Sequence, residues 1–148
     1  MEVKQWTYEE LPEFTDIPEG AKIIPTTGDE VGVMYLHDIE YANVDGHPLH
    51  LQLMIPNSRN KRMDFFVKEL PFKLPCFVFV QGSAWMQQYV YANVPNLSKL
   101  AARGYVCAIV EYRHSGIAKF PSQAEDALNA VRFLRKNAPR FGIDQDNM

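Results

Sequence analysis

The chain has 148 residues, 47% hydrophobic and 22% charged, and its fifteen Lys+Arg against eighteen Asp+Glu leave a net charge of −3. A single domain of this length buries roughly 70% of its unfolded surface, so a disordered chain is excluded. The mild acidity argues against a nucleic-acid binder, whose phosphate contacts need a basic face, and no apolar run approaches the roughly 20 residues of a membrane span.

Residues 1–37 read as an N-terminal arm, aperiodic and punctuated by Pro12, Pro18, Pro25, Gly20, Gly28 and Gly32. Its opening, MEVKQWTYEE, lacks the apolar stretch of a secretory signal, and the compartment stays open. Trp6, Tyr8 and Phe14 imply that the arm packs on something. Asp38 to Asn43 alternates, Val44-Asp45-Gly46 makes a tight turn, and His50 to Ile55 alternates again, which predicts a β-hairpin. Pro56 to Lys73 is a polar, basic surface excursion. Leu74 to Val80 is a continuous apolar run, predicting a strand covered on both faces as in a parallel sheet.

After the loop from Gln81 to Ala92, Val94 to Arg103 has helical spacing, with Leu97, Leu100 and Ala101 on one face and Gly104 at the C-cap. Tyr105 to Val110 is a second apolar strand. Pro121 then opens a longer helix whose apolar stripe is Ala124, Ala127, Leu128, Val131 and Leu134. Gly142-Ile143-Asp144 begins a new connection. Strand, helix, strand form a right-handed crossover, so the fold class is α/β: an antiparallel hairpin followed by parallel strand-helix-strand-helix. Cys76 and Cys107 each lie inside an apolar run and read as buried thiols, with no C-x-x-C pair to suggest zinc or redox chemistry.

Several local patterns carry a family resemblance. Phe77 to Val80 runs into Gln81-Gly82-Ser83-Ala84-Trp85, where small carboxylesterases carry His-Gly-Gly-Gly and an aromatic. Glu111-Tyr112-Arg113 resembles their Asp-Tyr-Arg, Phe120-Pro121 with Asp126-Ala127 resembles Phe-Pro-x-x-x-x-Asp-Ala, and Phe141-Gly142-Ile143-Asp144 matches Phe-Gly-x-Asp. In order and spacing, residues 38–148 resemble the N-terminal half of an α/β-hydrolase of the hormone-sensitive-lipase-like and feruloyl or acetyl-xylan esterase branch. The resemblance implies a serine esterase working through an acyl-enzyme, with no cofactor and no metal. It also points to ester side groups of plant polysaccharides.

Ester hydrolysis develops negative charge on the carbonyl oxygen, and a backbone N–H aimed at it is worth roughly 3–4 kcal/mol. Gly82, Ser83 and Ala84 let the backbone approach a substrate closely at the carboxyl end of a parallel strand, where open α/β sheets bind ligands. The tripeptide alone reads as an ordinary strand-to-loop turn; with its flanks it reads as an oxyanion hole donating from Ser83 and Ala84. Gln81 replaces the family histidine, a structural hydrogen-bonding position. Trp85, Met86 and Tyr89, with Tyr91, offer an adaptable substrate wall or plain packing. The resemblance suggests that Arg113 and Asp126 join in a buried supporting network; two solvated charges are the alternative.

No nucleophile elbow is present. The only glycines four apart are Gly28 and Gly32, around Asp29-Glu30-Val31, and Ser83 lacks the strained strand-to-helix turn that a nucleophilic serine needs. His37, His47 and His50 belong with the hairpin, and His114 with the pocket wall or framework. In the family, Ser, Asp or Glu, and His all follow the next strand, so the chain alone is expected to be inactive. Its expected partners are the C-terminal half of the same hydrolase, or a second copy pairing through the exposed strand edge, and a small-molecule ester. A non-catalytic binding module and a prolyl-oligopeptidase-like peptidase fragment are the alternatives. A nucleotide site fails for want of a glycine-rich phosphate loop.

Overall fold

The computed structural model of the chain describes residues 5–10, 16–22, 24, 32–57 and 70–148. Seventeen of the arm's 37 residues, including Phe14, and most of the basic excursion lie outside them. Within the arm, Tyr8–Glu10 forms a short 3-10 turn. Four strands, β1 (Gly32–Val44), β2 (His47–Asn57), β3 (Cys76–Val80) and β4 (Val106–Val110), form one sheet in the order β1-β2-β4-β3. The helices are α1 (Val94–Ala101), α2 (Ser122–Lys136) and the single turn α3 (Ala138–Phe141).

The hairpin is longer than the alternation alone indicated. β1 starts at Gly32, paired with Asn57, and its register shifts between Leu36 and Ile39 and again between Glu40 and Ala42. Each bulge breaks the period of two by which a strand is read, and Asp38 at φ +50° sits in the first. Asp45 and Gly46 both take positive φ, 52° and 82°, in the two-residue turn, the conformation that matches strand twist.

β2 pairs antiparallel with β4, and β4 pairs parallel with β3. β4 is buried along its whole length because it has a strand on each side and a helix on each face. Leu51, Leu53 and Ile55 pack with Val106, Ala108 and Val110 beneath Ala130, Leu134 and Phe141. Met54, Cys107 and Ile109 face the other way, against Leu97 and Ala101 of α1. The result is a three-layer α/β arrangement.

Two expectations change. β3 is only partly covered: Cys76 and Val78 pack on one face and Phe79 on the other, but among the described residues it is an edge strand, with Phe77 41% and Val80 45% exposed. The buried face of α2 is Gln123, Asp126, Ala130 and Leu134, not the fully apolar stripe. Ala124 is exposed and Leu128 is 55% exposed, because a paired carboxylate takes the core position one turn earlier.

The segment after α3 runs back along the chain before β3. Leu74 N–H donates to the Gly142 carbonyl, Asp144 N–H to that of Leu74, and Cys76 N–H to that of Asn147, each at 2.8 Å. Val106 N–H donates to the Pro75 carbonyl. Backbone groups of successive strand residues point to opposite edges, so the returning segment lies on the side away from β4. Val78 and Val80 turn their backbone groups to that same side, where nothing among the described residues pairs with them. Gly142 makes the return possible: it takes φ +64°, and a Cβ there would stand 2.5 Å from a ring carbon of Phe72.

Cys76 and Cys107 are free, buried, and on opposite faces of the sheet. Burial pushes their thiols up to about 12 and about 11. A raised folded-state value favours the neutral thiol. Its stabilisation is therefore complete below the unfolded value of about 8.5 and is lost as pH rises from there toward the folded values. Native protein at pH 8 is expected to take no iodoacetamide, and denatured protein two adducts by intact mass. Fast native alkylation would contradict this burial.

Candidate functional site

Parallel neighbours leave a sheet side by side. Val80 pairs with Val110, so the loop from Gln81 and the segment Glu111-Tyr112-Arg113 emerge together at the carboxyl end. The Tyr112 hydroxyl donates to the Gln81 carbonyl at 2.9 Å and lies 2.9 Å from Ser83 Oγ. Ser83 Oγ in turn donates to the Met86 carbonyl. Met86 N–H donates to the Ser83 carbonyl at 2.9 Å, and Ser115 N–H to the Trp85 carbonyl at 2.8 Å. Gln88 completes the brace, accepting from Tyr112 N–H and donating to the Met86 carbonyl.

The braced loop holds an uncommon backbone. Ala84 and Trp85 take φ +50° and +65°, a left-handed conformation that costs a non-glycine residue about 1–2 kcal/mol. Among the described residues, the N–H groups of Gly82, Ser83, Ala84 and Trp85 donate to no protein acceptor. Consecutive unpaired amides on a fixed loop can receive an anion or a polarised carbonyl oxygen.

Trp85, Met86 and Tyr89 follow the loop and are all exposed. Tyr89 lines a cavity of about 500 Å³ with Asp38, His50, Gln52, Gln88 and Glu111; Trp85 and Met86 stand outside it. Within it, His50 Nδ1 and the His50 N–H meet Glu111 Oε2, each at 3.0 Å. Gln52 is buried, donating to Asp38 at 2.8 Å and accepting from the Tyr35 hydroxyl at 2.7 Å. Hydrogen bonds from Gln52, Tyr91 and His37 hold the Asp38 carboxyl below its usual range. His114 accepts from Gly116 N–H, and Gln81 keeps a buried side-chain oxygen with no partner among the described residues.

Arg113 and Asp126 form a buried bidentate pair. Arg113 Nε and Nη2 reach the two carboxylate oxygens at 2.9 Å each, and the Arg113 N–H adds a third bond at 3.0 Å. Asp126 holds the guanidinium more firmly protonated than usual. The pair joins α2 to the exit of β4, directly beside Tyr112. Tyr112 lies within the Glu111-Tyr112-Arg113 motif, but its contact with the loop is not read from that motif; the signal for it is its place two residues beyond a strand parallel to the one feeding the loop. Gln88 is a site residue that motif reading passes over.

Residues 63–148 match the BD-FAE family. The chain belongs to the BD-FAE family. Over 81 residues it is 33% identical to esterase LipC of Mycobacterium tuberculosis, a match covering 53% of this chain and 20% of that protein. Esterase B of Lactobacillus rhamnosis superposes with a TM-score of 0.61 at 20% identity, over 78% of this chain and 35% of that one. The butyrate-bound esterase Est2 of Thermogutta terrifontis gives 0.61 at 23% identity, over 82% and 38%. This BD-FAE chain therefore has the α/β-hydrolase fold of known esterases. It spans about a fifth of the curated relative's length and little over a third of the solved esterases'.

Proposed function

We propose that this chain is the oxyanion-loop half of a serine carboxylesterase. The carbonyl oxygen of an ester accepts from the N–H groups of Ser83 and Ala84, Gly82 leaves room for its approach, and Trp85, Met86 and Tyr89 line the substrate. Arg113 and Asp126 fix the floor of the site, and Gln81 begins the loop. The observation that carries this reading is the run of unpaired amides on a braced, left-handed loop at the carboxyl end of a parallel strand, in a member of an esterase family.

The nucleophile, acid and general base come from further polypeptide that adds its first strand to the free edge of β3. The share of its relatives that this chain spans supports this, as do the open backbone groups of Val78 and Val80 and the returning segment that already pairs with Leu74 and Cys76. An uncovered apolar edge recruits another strand. The 148-residue chain alone is expected to hydrolyse p-nitrophenyl acetate at background and to take no serine-directed phosphonate. In sedimentation it should self-associate or aggregate. A phosphonate adduct within this chain, or a monodisperse 17.0 kDa monomer with a cooperative melt, would overturn the reading.

A further inference from the structure

We propose that Tyr112 is a positioning residue for ester hydrolysis, acting through the loop amides rather than on the substrate; this rests on the oxyanion-loop reading above. Its phenol is buried, only 6% of the residue being exposed, and it touches the loop at two points, the Gln81 carbonyl and Ser83 Oγ. In a trans peptide the C=O and the following N–H lie in one plane and point oppositely. Holding the Gln81 carbonyl toward Tyr112 therefore turns the Gly82 N–H away from it. The Met86 N–H, holding the Ser83 carbonyl, orients the Ala84 N–H by the same rule. Between these two fixed planes, Ser83 is held by its own hydroxyl.

Proton counting shows how much rests on the phenol. Three contacts, Tyr112 with Gln81, Ser83 with Met86, and Ser83 with Tyr112, share two hydroxyl protons. Removing the Tyr112 oxygen deletes two of the three and leaves the Gln81 carbonyl without its donor. The bonds that remain, Met86 N–H to the Ser83 carbonyl and Ser115 N–H to the Trp85 carbonyl, hold only the far side of the loop. With its start released, Ala84 and Trp85 relax from their left-handed conformation, and the amides drift from the developing oxyanion. Ser83 stands where the family carries glycine, so the Ser83–Tyr112 contact is a device of this chain.

The test is steady-state hydrolysis of p-nitrophenyl acetate by the complete hydrolase. Tyr112→Phe should lower kcat at least tenfold with KM within twofold, since the oxyanion is bound only in the transition state. Adding Ala84→Gly, which occupies positive φ freely, should restore at least threefold of that loss, compared with Ala84→Gly alone. If Tyr112→Phe does not fold, Ser83→Ala, which removes the shared contact and the bond to the Met86 carbonyl but leaves Tyr112 on the Gln81 carbonyl, should show a kcat-only loss and the same rescue. Unchanged kcat, a change confined to KM, or no rescue by glycine would overturn the proposal. Unmodified protein that hydrolyses the ester while Tyr112→Phe equals it defeats the positioning role alone. An inactive unmodified protein defeats the esterase reading instead.

Discussion

Replacing Ser83 with proline in the complete hydrolase is expected to lower kcat roughly 100-fold or more, the usual cost of one oxyanion donor. The change removes an N–H that donates to nothing within the described protein, so folding loses no backbone hydrogen bond. Ser83 is also absent from the residues with positive φ, and a proline ring therefore does not require the backbone to reverse there. The substitution deletes Ser83 Oγ too, so Ser83→Ala is the reference that keeps the N–H. The ratio between the two variants isolates the amide. A folded Ser83→Pro protein with the kcat of Ser83→Ala would remove Ser83 from the hole; the comparison does not transfer to Ala84, whose φ of +50° a proline cannot adopt.

Asp126→Ala is expected to cost about 3–5 kcal/mol of stability, because it breaks a buried ion pair by removing one partner. Asp126 is 0% exposed and satisfies two guanidinium nitrogens and a backbone N–H. After its loss the nearest carboxylate to Arg113 is Asp45, 4.0 Å away and largely in solvent, too exposed to compensate. At about 2–4 °C per kcal/mol for a domain of this size, the melting temperature should fall by roughly 10 °C. Asp126→Asn keeps shape and one acceptor and should fall between. A variant within 1 kcal/mol of the parent would mean that the pair is hydrated rather than buried.

Much of this architecture is legible in the residues. The two apolar runs become parallel neighbours, and the Asp45-Gly46 turn forms where its residue types require. The reading fails where polar groups occupy apolar geometry. Asp126 sits on the core face of α2, so a stripe drawn from hydrophobicity rotates onto Ala124 and Leu128. Asp38 interrupts β1 at a bulge, so alternation hides the strand from Gly32 to His37. At the site, the loop is visible as a run of small residues, but its braces are not. Tyr112 acts on its start from 29 and 31 positions away in sequence, and Gln88 ties Tyr112 to the loop's own far end; only the pairing of β3 with β4 makes Tyr112 a neighbour.

The buried carboxamide of Gln52 has a consequence for how the hairpin selects its alignment. Sliding β2 by one residue would turn Leu51, Leu53 and Ile55 onto the α1 face and bring His50 and Gln52 into the core under α2, and hydrophobic burial alone disfavours it. Sliding by two keeps the same faces buried, so apolar contacts barely distinguish it from the native pairing. Gln52 does distinguish it. Only in the native alignment do its two ends meet Asp38 and the Tyr35 hydroxyl. Two residues away it would be buried without those partners, at about 1–3 kcal/mol. A single polar side chain thus acts as a key that rejects the one mispairing that greasy surfaces would accept.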